Sequence, residues 1–235
     1  MRRLALFPLL LAVARAQAPE LATDRPDFTE SGLVVPLGHV QVESGLTWTH
    51  DDGTDVVGAP ELLARYAPFS RLELRLGAPD YVGAEGASGF SDASLGVKAQ
   101  LGPVGGWDLA VIAATTLPVG EDDVSSGAFD PEVLITTGLA LTPRVDLGSQ
   151  IGGARSDGRF LFSATLVGGA GLTEELGAFL ELALEAPEVG PAGLLLHHGY
   201  TLALAPALQL DVHGAVGLTA AAPDVLLGAG LSVRR

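Results

Sequence analysis

The feature that most constrains this chain is an alternation of apolar and polar residues with a period of two, repeated along most of its length. From Val40 the even positions read Val40, Val42, Ser44, Leu46 and Trp48, while the odd ones read Gln41, Glu43, Gly45, Thr47 and Thr49. Successive side chains of an extended strand point to opposite faces, so this pattern specifies a strand with one apolar and one polar face. Arg71 to Gly77 sets Leu72, Leu74 and Leu76 against Glu73 and Arg75. Asp92 to Leu101 sets Ala93, Leu95, Val97, Ala99 and Leu101 against Asp92, Ser94, Gly96, Lys98 and Gln100. The same division holds over 176–185 and 207–219, with weaker copies over 59–67, 107–117, 132–141, 145–154, 160–172, 194–205 and 225–234. These segments predict about twelve strands of roughly the nine to eleven residues that cross a bilayer obliquely.

Composition says which face meets what. Apolar residues make up 48% of the 235, the mean hydropathy is +0.38, and charged residues are only 17%, against about 25% in ordinary soluble domains. Yet no stretch approaches the ~20 apolar residues of a spanning helix, because charges, prolines and glycines recur every few positions. A membrane β-barrel resolves the conflict by spreading its lipid-facing residues over alternate positions of many short strands. The absence of cysteine excludes a disulfide scaffold and thiolate chemistry. A formal charge of −15 repels phosphate backbones and excludes nucleic acid as a partner.

The first residues have the layout of an export signal. Arg2 and Arg3 precede an apolar run from Leu4 to Val13 and a small-x-small site at Ala14-Arg15-Ala16. Cleavage after Ala16 is expected, making 1–16 a signal peptide, 17–37 a polar N-terminal segment and 38–235 the barrel. The mature chain then holds 10 basic against 28 acidic residues. Punctuation between the strands is alternately short (68–70, 102–106, 142–144, 173–175, 205–206) and longer (51–58, 78–91, 119–131, 155–158, 186–193, 219–223). Outer-membrane barrels have short turns on one side and long loops on the other. A soluble sandwich also has short alternating strands, but it does not require that systematic alternation of connections. The fold class expected is therefore an all-β, antiparallel up-and-down transmembrane barrel in the bacterial outer membrane, in contact with lipid and lipopolysaccharide. Trp48, Tyr66, Trp107, Phe160 and Tyr200 are the candidates for its interfacial aromatic girdles.

A family resemblance supports this reading. Thr23-Asp24-Arg25-Pro26-Asp27-Phe28-Thr29-Glu30-Ser31, followed by Pro36-Leu37-Gly38-His39-Val40-Gln41-Val42-Glu43-Ser44-Gly45, resembles the opening of a family of outer-membrane transporters named for the meta-cleavage pathway of phenol degradation. The likeness continues through residues 60–66 and 70–77, Ser94-Leu95-Gly96-Val97-Lys98, Leu117-Pro118-Val119-Gly120, and the closing motifs at 222–224 and 228–232. It implies an outer-membrane barrel acting as a transporter or channel for small solutes, aromatic ones included. Such proteins usually end on an aromatic residue read by the barrel-insertion machinery, whereas this chain closes on Val233-Arg234-Arg235.

If the leucine faces meet lipid, the opposite faces line a lumen. That places Glu43, Glu61, Arg65, Glu73, Arg75, Lys98, Asp146, Glu181, Asp211 and His213 inside, together with Gln100, Asp108, Gln150, Glu185 and His197. Both signs are present, so the lining could conduct small polar solutes or could pair off and fill a narrow, non-conducting structural barrel. The N-terminal segment carries Asp24, Arg25, Asp27 and Glu30 between Pro26 and Pro36, too irregular for a spanning strand. It is expected to hang free or to dock inside as a plug. In the docked form Arg25 would meet Glu43 or Glu61, and Asp24 or Asp27 would meet Arg65 or Arg75. No serine sits in a nucleophile elbow. His197 and His198 point to opposite faces, and the acid runs at 51–55 and 121–123 lack calcium-loop spacing. The sequence therefore predicts no enzyme, no metal site and no cofactor.

Overall fold

The computed structural model describes residues 21–156 and 158–235; the export signal expected over 1–16 lies outside the described residues. Strand β1 (Val40–Asp51) is followed by β2 (Thr54–Ala59), β3 (Leu63–Phe69), β4 (Leu72–Gly77), β5 (Tyr81–Ala84), β6 (Ala87–Phe90) and β7 (Ala93–Gln100). Eight longer strands complete the chain: β8 (Asp108–Leu117), β9 (Pro131–Thr142), β10 (Val145–Ser156), β11 (Arg159–Gly171), β12 (Leu176–Pro187), β13 (Gly193–Ala205), β14 (Leu208–Gly217) and β15 (Val225–Arg234). All pair in one antiparallel sheet, and β15 returns to β1 from Gln41 opposite Arg234 to His50 opposite Val225, which closes the barrel.

The fifteen segments form twelve staves, because three staves are each broken in two. β1 pairs with β2 at its far end and with β3 at its near end, so β2 and β3 are halves of one stave. β5 continues β4 and β6 continues β7 in the same way. The sequence pattern over 59–67 suggested one uninterrupted strand; Pro60 has no N–H to give the ladder, and the strand breaks at 60–62 with Glu61 in the left-handed region (φ 44°). The stretches 51–58 and 78–91, expected as long loops, are instead mostly strand. β1 and β2 turn tightly through Asp52-Gly53, and β2, β5 and β6 carry the sheet beyond the main barrel. Extending neighbouring staves together gives backbone groups ladder partners that a free loop would lack. Of the segment 119–131, all but Pro131 at the start of β9 remains a loop, tied to the start of β7 by Asp92, which accepts the Val119 and Gly120 amides and the Ser125 hydroxyl.

The two faces are inverted relative to a soluble protein. On β12, Leu180 and Leu182 are 57% and 42% exposed while Glu181 between them is 1% exposed. Large exposed apolar side chains recur on β1, β3, β4, β7 and β9 to β15, and the buried set is rich in Arg, Lys, Glu, Gln and His. A charged lumen wrapped in leucine and valine is stable only if the outer band faces hydrocarbon. Among the described residues no helix is long and apolar enough to cross a membrane. Leu182→Arg places a charge in that band and should destabilise the inserted barrel by roughly 2–4 kcal/mol. Leu182→Val should be close to neutral, as read by urea unfolding in lipid vesicles.

Candidate functional site: a charged lumen holding the N-terminal segment

The barrel interior is built from alternate residues of neighbouring staves, and register decides which of them meet. Arg65 on β3 lies opposite both Gln41 on β1 and Arg75 on β4, and Glu73 lies opposite Lys98 on β7. Arg65 grips Glu73 with two parallel bonds, Nε to Oε1 at 2.9 Å and Nη2 to Oε2 at 3.0 Å, and donates to Glu43 Oε1 at 2.7 Å. Paired guanidinium and carboxylate planes of this kind are the strong form of charged hydrogen bond. Left alone, the wall would carry three cations, Arg65, Arg75 and Lys98, against two carboxylates, Glu43 and Glu73.

Asp24, from the segment before the first strand, supplies the third. Its carboxylate lies 2.5 Å from Arg75 Nη1, 2.8 Å from Lys98 Nζ and 3.1 Å from Arg65 Nη1. Burial raises the pKa of Asp24, but the charges of Arg65, Lys98 and Arg75 outweigh it and hold the carboxyl well below the usual range. A group depressed in this way stabilises docking at all pH above its ordinary pKa, and that stabilisation is lost only in strong acid.

The rest of the segment is fastened by its backbone. The amide of Asp24 donates to Glu43, those of Phe28 and Thr29 to Glu181, that of Glu30 to Gln150, and that of Val35 to Glu73. The Thr136 hydroxyl on β9 donates to the Glu30 carbonyl. Arg25 reaches Glu61 at 2.7 Å and lies 3.5 Å from Asp211. Its guanidinium lies over Gly45 and Gly230, where a Cβ on either glycine would collide with it. On the far wall Glu181 accepts from His197 Nδ1 at 2.8 Å, and His197 Nε2 meets His213 Nδ1 at 2.9 Å. With Nδ1–H donated to Glu181, a neutral His197 must accept at Nε2, which fixes the proton order along the chain. Phe28 and Phe179 flank the His197 ring at 4.4 and 5.0 Å.

The residues expected in the lumen therefore fall into groups. Glu43, Arg65, Glu73, Arg75 and Lys98 meet around Asp24; Glu61 and Asp211 meet Arg25; Glu181 and His213 join through His197. Asp146 lies against Gly169 and borders, with Asp27 and Glu30, the cavity on the short-turn side. Of the alternatives expected for the docked segment, Arg25 takes Glu61, with Asp211 added, and Asp24 takes both Arg65 and Arg75; among the described residues Asp27 has no arginine partner. Burial and the nearby charge of Glu181 raise the Asp27 carboxyl well above its ordinary value. Gln41, Thr136, Phe28 and Thr29 were not singled out from the sequence. The alternation marks Gln41 as inward, but the others owe their roles to the path of an irregular segment.

Two cavities lie on either side of the segment. One, of about 590 Å³, opens toward the short turns and is bordered by Asp27, Asp108, Arg144, Asp146, Phe179 and Gln209 among others. The other, of about 510 Å³, opens toward the loops and is bordered by Glu61, Asp80, Asp92, Asp130, Glu132 and Arg155.

A closed antiparallel barrel with an apolar exterior and a charged interior is the outer-membrane channel and porin class of fold. Solved structures agree. The chain is similar to the COG4313 outer membrane channel from Pseudomonas putida F1, at 13% identity and TM-score 0.64 over 87% of this chain and 98% of that one. It is similar to the NanC porin at 7% identity and TM-score 0.61 (83% and 98% covered), and to the CymD monoaromatic hydrocarbon channel at 8% and 0.51 (86% and 89% covered). No protein of curated function matches the chain. The family described as "Putative MetA-pathway of phenol degradation" matches residues 23–157, more than half of the chain, and the chain belongs to it.

Asp24→Ala leaves buried cations short of a partner and should weaken docking by about 3–5 kcal/mol. Chymotrypsin should then cut the folded barrel after Phe28, while the unsubstituted protein should resist cleavage there.

Proposed function

We propose that this protein is a narrow outer-membrane channel for small solutes, with its N-terminal segment as a plug that sets the width of the passage. The observation carrying this reading is the pair of cavities on opposite sides of the segment, meeting where the segment crosses the lumen. The segment narrows the passage between them at Glu30, which borders both cavities. Residues 1–16 serve as the export signal, removed on the way to the outer membrane, and insertion follows the ordinary barrel route into a lipid and lipopolysaccharide bilayer. Small aromatic or partly apolar molecules are the solute class favoured. The phenol pathway for which the family is named and the monoaromatic hydrocarbons for which the CymD channel is named both point to aromatic compounds. Phe28 and Phe179 give the lumen an aromatic wall beside its charges. No catalytic role is assigned: His213 is engaged with His197, not with a hydroxyl nucleophile.

The second reading, a filled structural barrel, draws on the complete burial of Arg65, Glu43, Glu73 and Lys98. Single-channel recording in planar bilayers separates the two. Deleting residues 17–36 should raise the unit conductance several-fold over the intact mature protein. Equal conductance, or silence in both, favours the filled barrel.

A further inference from the structure

Among the described residues, Glu30 is the one that borders both cavities. Its carboxylate lies 2.7 Å from Arg75 Nη2 and 3.6 Å from Lys98 Nζ. Around it, three cations already have three partners: Arg65, Arg75 and Lys98 are matched by Asp24, Glu43 and Glu73, whose side chains are 3%, 0% and 0% exposed. Glu30 is the fourth carboxylate and is 20% exposed. Of the cluster's negative charges it is the one both in excess and open to solute.

We propose that Glu30 is the selectivity-determining residue of the passage, its carboxylate, one more than the cluster's cations balance, at the junction of the two cavities favouring small cations over anions. An anion crossing there meets a net negative site whose cations are already engaged. A cation meets an acceptor that its partners can release at little electrostatic cost, because removing Glu30 leaves the cluster balanced. The groups facing Glu30 are consistent with this. Asp24 approaches from the same segment, Arg75 from β4 and Lys98 from β7, whereas β9 and β10 offer only the uncharged Thr136 and Gln150 at its backbone. Farther along, Glu132 on β9 and Arg155 on β10 border the loop-side cavity with opposite signs, beside the further acids Glu61, Asp80, Asp92 and Asp130. Burial, and then the charge of Asp24, raise the Glu30 carboxyl to about 7 despite Arg75 and Lys98. The preference should therefore weaken as pH falls through neutrality, where the carboxyl gains its proton.

This inference rests on the channel reading. It is tested by reversal potentials in a potassium chloride gradient across planar bilayers, with the mature protein and its Glu30→Gln and Glu30→Asp variants. Folding of each is verified by its heat-sensitive electrophoretic mobility. The unsubstituted channel should lose several-fold in its potassium-over-chloride ratio between the alkaline and acid sides of pH 7. Glu30→Gln should hold the acid-side ratio at every pH, and Glu30→Asp should keep a transition. A Glu30→Gln channel with unchanged selectivity and pH dependence overturns the assignment while leaving the channel reading intact. So does an unsubstituted channel with no transition. Folded, inserted protein that passes no current at any pH overturns both.

Discussion

A strand in hydrocarbon has no water to hydrogen-bond its backbone, and the remaining features of this structure follow from that constraint. Every N–H and C=O must pair with a neighbouring strand, so the sheet closes from β15 onto β1. Closure forces every stave to have an outer and an inner face, and hydrocarbon claims the outer one. Polar residues on alternate positions are thereby gathered into a narrow interior, where unpaired charge is costly. The lumen chemistry is thus a by-product of the same alternation that lets the chain cross the membrane.

Charge matching in that interior explains why the N-terminal segment is there. The wall at the level of Arg65 is cationic by one charge until Asp24 arrives, and Asp24 contacts all three cations at once. Arg25 next to it carries the complementary task, filling a slot that Gly45 and Gly230 leave open beside Glu61 and Asp211. The wall also supplies acceptors for backbone amides of a segment with no regular structure of its own, using the carboxylates of Glu43, Glu73 and Glu181. The segment is held as a strand would be held, but by side chains in place of a ladder.

Much of the barrel is legible in the sequence because its signal is repeated. Twelve runs of alternating residues give the number of staves, and Glu73 flanked by Leu72 and Leu74 identifies its own face. The broken staves are less legible: Pro60 marks one, but Thr54 to Ala59 and Tyr81 to Phe90 lack a clear polar and apolar division, and they pair only with each other and with the far end of β1. Charge complementarity between the segment and the wall can be read from composition, whereas individual partners cannot. His197 meets His213 because β13 and β14 pair with His197 opposite Ala215, a register that neither strand reveals alone. The segment brings Asp27 under the charge of Glu181, and no periodicity records the path that does so.

Docking of the segment within the lumen through its backbone amides is what the plugged channel stands on. Hydrogen exchange of the folded protein in a lipid environment tests it most directly at the amides of Asp24, Phe28, Thr29, Glu30 and Val35. These five should exchange orders of magnitude more slowly than a free chain, in the range of amides within β1. Exchange at free-chain rates while β1 stays protected would contradict the docked segment.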